Sequence, residues 1–216
     1  MRRSFIGLAA TFGIFAIANA QEAPAINSPI RTVGDVWEWS VKVSSRDQCT
    51  DGIPAGARVT EIVTAVTPTG HEVEITGPRA ATKFSRTYGA DMSYESPATP
   101  EKFRSLSVQF PLKVGNKWET TFAGSGSGNM VVTTLSCEQG VVERMKVSSA
   151  ELDVFPITCK GRWKNLSSGN TNTATYRYWY SPIVGNVVKT TVFTYFARGT
   201  CADVEYSLES YKRAVQ

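Results

Sequence analysis

The stretch "TYRYWYSPIVGN", residues 175–186, sets four aromatic side chains against a proline and a glycine. Two-residue alternation puts Tyr176, Tyr178 and Tyr180 on one face of a strand and Arg177 and Trp179 on the other. Pro182 and Gly185 then stop that strand and reverse the chain into a second one over 186–197. A strand running into a turn accounts for every residue type present, whereas an aromatic binding platform accounts for only some. The stretch is therefore read as β.

The same period recurs outward from it. In "VWEWSVKV" (36–43), Trp37, Trp39, Val41 and Val43 oppose Glu38, Ser40 and Lys42. "RSLSVQF" (104–110) sets Leu106, Val108 and Phe110 against Ser105, Ser107 and Gln109, and is read as a half-buried strand. "ITCKGRWK" (157–164) sets Ile157, Cys159, Gly161 and Trp163 against Thr158, Lys160, Arg162 and Lys164. Turn signals separate these runs at 68–71, 124–129, 138–140 and 167–172. About a dozen strands and no amphipathic helix are expected. The short connections require antiparallel neighbours, because parallel ones need long crossovers. The fold class is all-β: a single curved antiparallel sheet forming a half-barrel or barrel-like domain, with a β-sandwich as the alternative. "VGDVWEW" (33–39), "VGNKWETTF" (114–122) and "VGNVVKTTV" (184–192) share one turn-and-strand device, in which glycine beside Asp or Asn supplies a positive φ.

The N-terminus "MRRSFIGLAATFGIFAIANA" has a basic start, an apolar run too short to span a bilayer, and small residues at Ala18 and Ala20. That is the layout of a cleaved secretory signal peptide over residues 1–20. Residues 21–34 are expected to form an extended arm and residues 35–216 a single β domain. Cleavage leaves 21 basic and 19 acidic residues, a balance unlike that of a nucleic-acid-binding protein. No later stretch is apolar and long enough for a membrane helix. The expected location is the periplasm or the exterior.

Cys49, Cys137, Cys159 and Cys201 all survive cleavage, and an even count in an exported chain indicates disulfides. Three pairings are open. Cys49–Cys201 with Cys137–Cys159 is favoured, since the first pair would tie the two ends of the domain together. With no Cys-x-x-Cys and one histidine, His71, neither a metal site nor a cofactor is expected.

"FPLKVGNKWETTF" (110–122) followed by "YRYWYSPIVGNVVK" (176–189) resembles a pattern in uncharacterised exported bacterial proteins. Gly34 with Trp37 matches their Gly-x-x-Trp strand, and "AELDVFPITCK" (150–160) loosely matches the apolar turn before their last hairpins. The resemblance implies a curved, β-rich periplasmic domain akin to the half-barrels of lipoprotein carriers.

Catalytic constellations are sparse. His71, in "TPTGHEVEI", reads as a solvated hairpin-tip residue. No Gly-x-Ser-x-Gly accompanies it, and no serine lies three residues before a lysine. Glu72 with Glu74, and Glu205 with Glu209, share strand faces at a spacing a glycosidase could use, but alternating acids usually mark a solvated side.

Two surfaces remain as binding candidates. Pairing four consecutive strands in order would bring Arg144, Lys146, Lys160, Arg162, Lys164, Arg177 and Lys189 onto one face beside Trp179, suited to an anionic envelope component. The opposite face gathers Trp37, Trp39, Trp118, Trp163, Tyr176, Tyr178 and Tyr180, with Gly161 leaving space for a ring or a ligand. The expected role is non-catalytic binding at the cell envelope. The alternatives are a carrier of lipid or a small apolar ligand in that aromatic concavity, and a hydrolase built on paired carboxylates.

Overall fold

A computed structural model describes residues 26–43, 56–77, 83–95, 103–126, 129–196 and 199–214. The signal-peptide assignment lies outside the described residues. All regular structure within them is β. One wing holds β1 (Val36–Val43), β2 (Arg58–Thr67), β3 (Gly70–Thr76) and β4 (Lys83–Gly89), extended by the short strands β5 (Tyr94–Glu95) and β6 (Arg104–Ser105). The other holds β7 (Lys117–Gly126), β8 (Asn129–Gln139), β10 (Ala150–Asn165), β11 (Thr171–Ser181), β12 (Asn186–Phe196) and β13 (Gly199–Lys212).

The strands form one antiparallel sheet in the order β6-β5-β4-β3-β2-β1-β13-β12-β11-β10-β8-β7. The β1–β13 ladder joins the two wings. The sheet curls until its edges meet, making a barrel with a seam. Side chains hold that seam: the Trp118 indole donates to the Leu106 carbonyl at 2.8 Å, and the Leu106 amide donates to Thr120 Oγ1 at 2.7 Å.

Each copy of the Val-Gly-Asp/Asn device leads straight into a strand, β1, β7 or β12. Gly34, Gly115 and Gly185 all have positive φ, at 91°, 82° and 71°. An L side chain would be strained there. Asp35, fully buried behind the first of these turns, accepts from the amides of Thr32 and Ala214 and pairs with Arg213 at 3.2 Å. It clasps the C-terminal end of β13 to the entry of β1.

The second wing is filled. Leu135, Ile157, Cys159, Ala174 and Tyr180 point inward from alternate positions and are almost wholly excluded from solvent. Cys137 and Cys159 face each other in the β8–β10 register and are disulfide-bonded. Cys49 lies outside the described residues, and with it the proposed Cys49–Cys201 pair.

The expected strand over 104–110 is corrected. Only Arg104 and Ser105 join a ladder, after which the chain leaves the sheet edge. Its apolar alternation is spent differently: Val108 and Leu112 are buried against the inner face of the second wing, and Phe110 meets Tyr180 edge-on at 5.4 Å. The segment acts as a plug. Gly161 is corrected too. A Cβ there would lie 2.0 Å from the Thr134 carbonyl oxygen, so the missing side chain makes room for the β8 backbone rather than for a ligand.

β9 (Glu143–Val147) pairs only with the first residues of β10, Ala150 to Val154. This hairpin packs over Trp179, burying Val147, Leu152 and Val154 with Val184 and Val188, while the Trp179 indole donates to Glu143.

Candidate functional site

The first wing curves around a cavity of about 360 Å³, a size within the range of small-ligand pockets. Alternation along each strand supplies its wall: Trp37 and Trp39 from β1, Val59 and Glu61 from β2, His71, Val73 and Ile75 from β3, and Phe84, Arg86 and Tyr88 from β4. Tyr178, Val187 and Tyr206 close the far side, and Arg31 reaches in from the segment before β1. The two indoles are tethered across β13, Trp37 donating to the Val184 carbonyl at 3.4 Å and Trp39 to that of Val187 at 3.3 Å.

The cavity has two unlike ends. His71 is opposite Tyr88 in the β3–β4 register, and Ile75 is opposite Phe84. Four residues separate the two pairs along β3, about 13 Å of strand. Phe84 is 43% exposed, so its end is open to solvent, whereas His71 is 6% exposed and stacks on Tyr88 at 5.3 Å. Arg31, only 8% exposed, sits at this closed end. Its guanidinium lies 4.4 Å from the Trp37 ring centroid and donates through Nη2 to the Met92 sulfur at 3.6 Å.

Burial governs the titrating groups. It pushes the pKa of His71 down to about 4, helped by Arg31, so the ring is neutral near pH 7. Burial raises Tyr88 to about 12, and raises Glu61 above the usual carboxyl range despite opposing contributions from Arg86, Arg31 and a hydrogen bond with Asn186. Arg86 donates to the Tyr88 hydroxyl at 3.2 Å and lies 4.3 Å from the Tyr94 ring centroid.

His71 is thus corrected from a solvated hairpin tip to a buried wall residue. The turn occupies Pro68 and Thr69, and His71 is already the second residue of β3, on its inward face. The aromatic face expected from the sequence is divided. Trp37, Trp39 and Tyr178 line the cavity, whereas Trp118, Trp163, Tyr176 and Tyr180 pack into the filled wing, where Tyr176 meets Phe122 edge-on.

The basic face is also divided. Lys160, Arg162, Lys164 and Arg177 are exposed and share the outer face of the β10–β11 ladder. Arg144 and Lys146 do not join them, because β9 pairs with residues 150–154 and not with 155–164; Arg144 pairs there with Asp153 at 3.3 Å. Lys189 is held by Glu205 at 2.8 Å, close to the Trp179 ring. Trp179 itself packs under the β9 hairpin. Three of the four carboxylates considered for catalysis are dispersed in ion pairs: Glu74 with Lys83, Glu205 with Lys189, and Glu209 with Arg58.

Of the cavity wall the sequence reading named only Trp37, Trp39 and Tyr178; the three charged residues, Arg31, Glu61 and Arg86, were among those missed. Two of them had a signal, since "VTEIV" (59–63) and "FSRTY" (84–88) each place one charged residue on an otherwise apolar strand face. Arg31 had none, lying in a segment without periodicity.

With this geometry in view, the chain compares with two solved structures. One is a candidate lipoprotein from Parabacteroides distasonis, with a TM-score of 0.54 and 14% identity over 88% of this chain and 100% of that one. The other is a candidate exported protein with YmcC-like fold from Bacteroides fragilis, with a TM-score of 0.53 and 13% identity over the same shares. This chain has their fold. No family model and no curated protein matches the sequence.

Proposed function

We propose that the protein is an exported, non-catalytic binding protein that carries a small, mainly apolar ligand in the hollow wing of its barrel. The cavity carries this reading: it is concave, walled by aromatic and aliphatic side chains, and furnished with a few convergent polar groups. The leader-like N-terminus supports export, as does a fold shared with proteins described as exported or as lipoproteins. Location in the periplasm or outside the cell belongs to the same proposal.

The neutral fluorophore N-phenyl-1-naphthylamine tests it. The protein should bind the probe at one saturable site, with quenching of tryptophan emission from Trp37 and Trp39. Val73→Phe, which enlarges a wall side chain, should abolish that binding while circular dichroism stays native. Absence of saturable binding, or binding unchanged in a folded Val73→Phe protein, would overturn the reading.

A further inference from the structure

Arg31 is the least expected group in the cavity wall. It is buried, yet its Nε and Nη1 have no hydrogen-bond partner, and its Nη2 has only a thioether, a weak acceptor. Buried donors left unpaired are costly, so each such group calls for an explanation. The nearby carboxylate of Asp35 does not supply one, being taken up by Arg213 and two backbone amides. Arg86 adds a second guanidinium to the same wall, and its Nε is likewise buried without a partner. Against these two permanent cations the described cavity wall offers one carboxyl, Glu61, whose burial favours its neutral form. His71 adds no negative charge. The described wall therefore carries an excess of positive charge, with Arg31 at the closed end and Arg86 between Tyr88 and Phe84, its guanidinium 5.9 and 5.6 Å from their ring centroids.

We propose that the carried ligand is an amphiphile with one anionic group, a carboxylate or a phosphate monoester, held by Arg31 at the closed end, with Arg86 as a second cation on the same wall. Its apolar body lies along Trp39, Val73 and Ile75 toward the open end. A guanidinium with two unpartnered donors suits either anion, since both present oxygens that accept charge-assisted hydrogen bonds from its N–H groups. This proposal rests on the carrier reading and specifies its ligand.

Displacement of N-phenyl-1-naphthylamine by decanoate, decyl phosphate and 1-decanol separates the two. On the wild-type protein at least one of the anionic amphiphiles should compete about tenfold or more better than the alcohol, the gain expected of charge-assisted hydrogen bonds. Which anion competes better distinguishes carboxylate from phosphate. Arg31→Gln should remove the preference, each competitor being scored against the probe affinity measured on the same variant. Arg86→Gln, which disturbs no part of the Asp35 clasp, should reduce the preference and provides a second variant if Arg31→Gln fails to fold. Probe binding with no preference for an anion on the wild type would overturn this inference and leave the carrier reading standing. A preference that survives in both variants would overturn it as well. Failure of the probe to bind would remove both.

Discussion

The two wings of the barrel are built from the same material and end differently. Each alternates apolar and polar residues along antiparallel strands, and each turns tryptophans and tyrosines inward. The second wing is filled because the chain between β6 and β7 leaves the sheet and pushes Val108, Phe110 and Leu112 against its inner face. Among the described residues no such plug fills the first wing, whose cavity Met92, Ser107 and Val108 only border. Its inward side chains include Arg31, Glu61, His71 and Arg86, groups that cannot be packed tightly against hydrocarbon without a large desolvation cost. An inward-facing aromatic row is therefore not by itself a pocket. What decides between core and cavity is whether another segment arrives to fill the space.

The sharpest way to break this contrast is packing. Leu135→Ala in the filled wing should cost about 2–5 kcal/mol, from lost transfer energy and the void left behind. Val73→Ala on the cavity wall should cost about 1–1.5 kcal/mol, because the methyl groups removed already border open space. Urea unfolding midpoints of the two variants would check this, and equal losses would show that both wings are equally filled.

The Cys137–Cys159 disulfide belongs to the filled wing. Replacing both Cys137 and Cys159 with alanine opens a link between residues 22 apart, which should cost on the order of 3 kcal/mol. Probe binding in the hollow wing should persist in that variant at temperatures where it stays folded.

Acid should act through the hollow wing. The folded-state pKa of His71, about 4, lies below its ordinary value of 6.5, so the unfolded chain takes up the proton first as pH falls. Its contribution is fully present above about pH 6.5 and is lost progressively toward pH 4, on the order of 3 kcal/mol in all. Glu61 works with the opposite sign. Its raised pKa lets the folded state keep a proton that the unfolded chain releases, so stability falls as pH rises above its ordinary 4.5. His71→Gln should flatten the gain in stability between pH 4 and 6.5, and Glu61→Gln should steepen it, both measured by urea denaturation across that window.

The smallest effect is expected outside. Reversing Lys160, Arg162 and Lys164 to glutamate should change stability by no more than about 0.5 kcal/mol and leave the affinity for N-phenyl-1-naphthylamine unaltered. A lost affinity would show that the outer face and the cavity are coupled.

Much of the fold was legible in the sequence because local chemistry dictates it. Period-two alternation around Trp37 and Trp39, and around Ile157 and Cys159, marks strands, and Val-Gly-Asp/Asn marks the turns that enter β1, β7 and β12. The aromatic face was legible for the same reason, although its division was not. Residues 104–110 misled because alternation reports only which side chains are apolar; it does not say whether the backbone finds a strand to pair with.

By itself, then, the sequence determined an all-β, antiparallel, curved sheet with an aromatic inner face, since each of those properties follows from neighbours two to four residues apart. Tertiary structure alone decided that the sheet closes on a side-chain seam, that residues 106–112 fill one wing, and that Arg31 enters the other. Those outcomes depend on contacts such as Trp118 with Leu106 and Arg31 with Met92, which join distant parts of the chain. The charge of the cavity arises in the same way. Arg31, Glu61 and Arg86 come from three separate segments and share a site only once the barrel has curled.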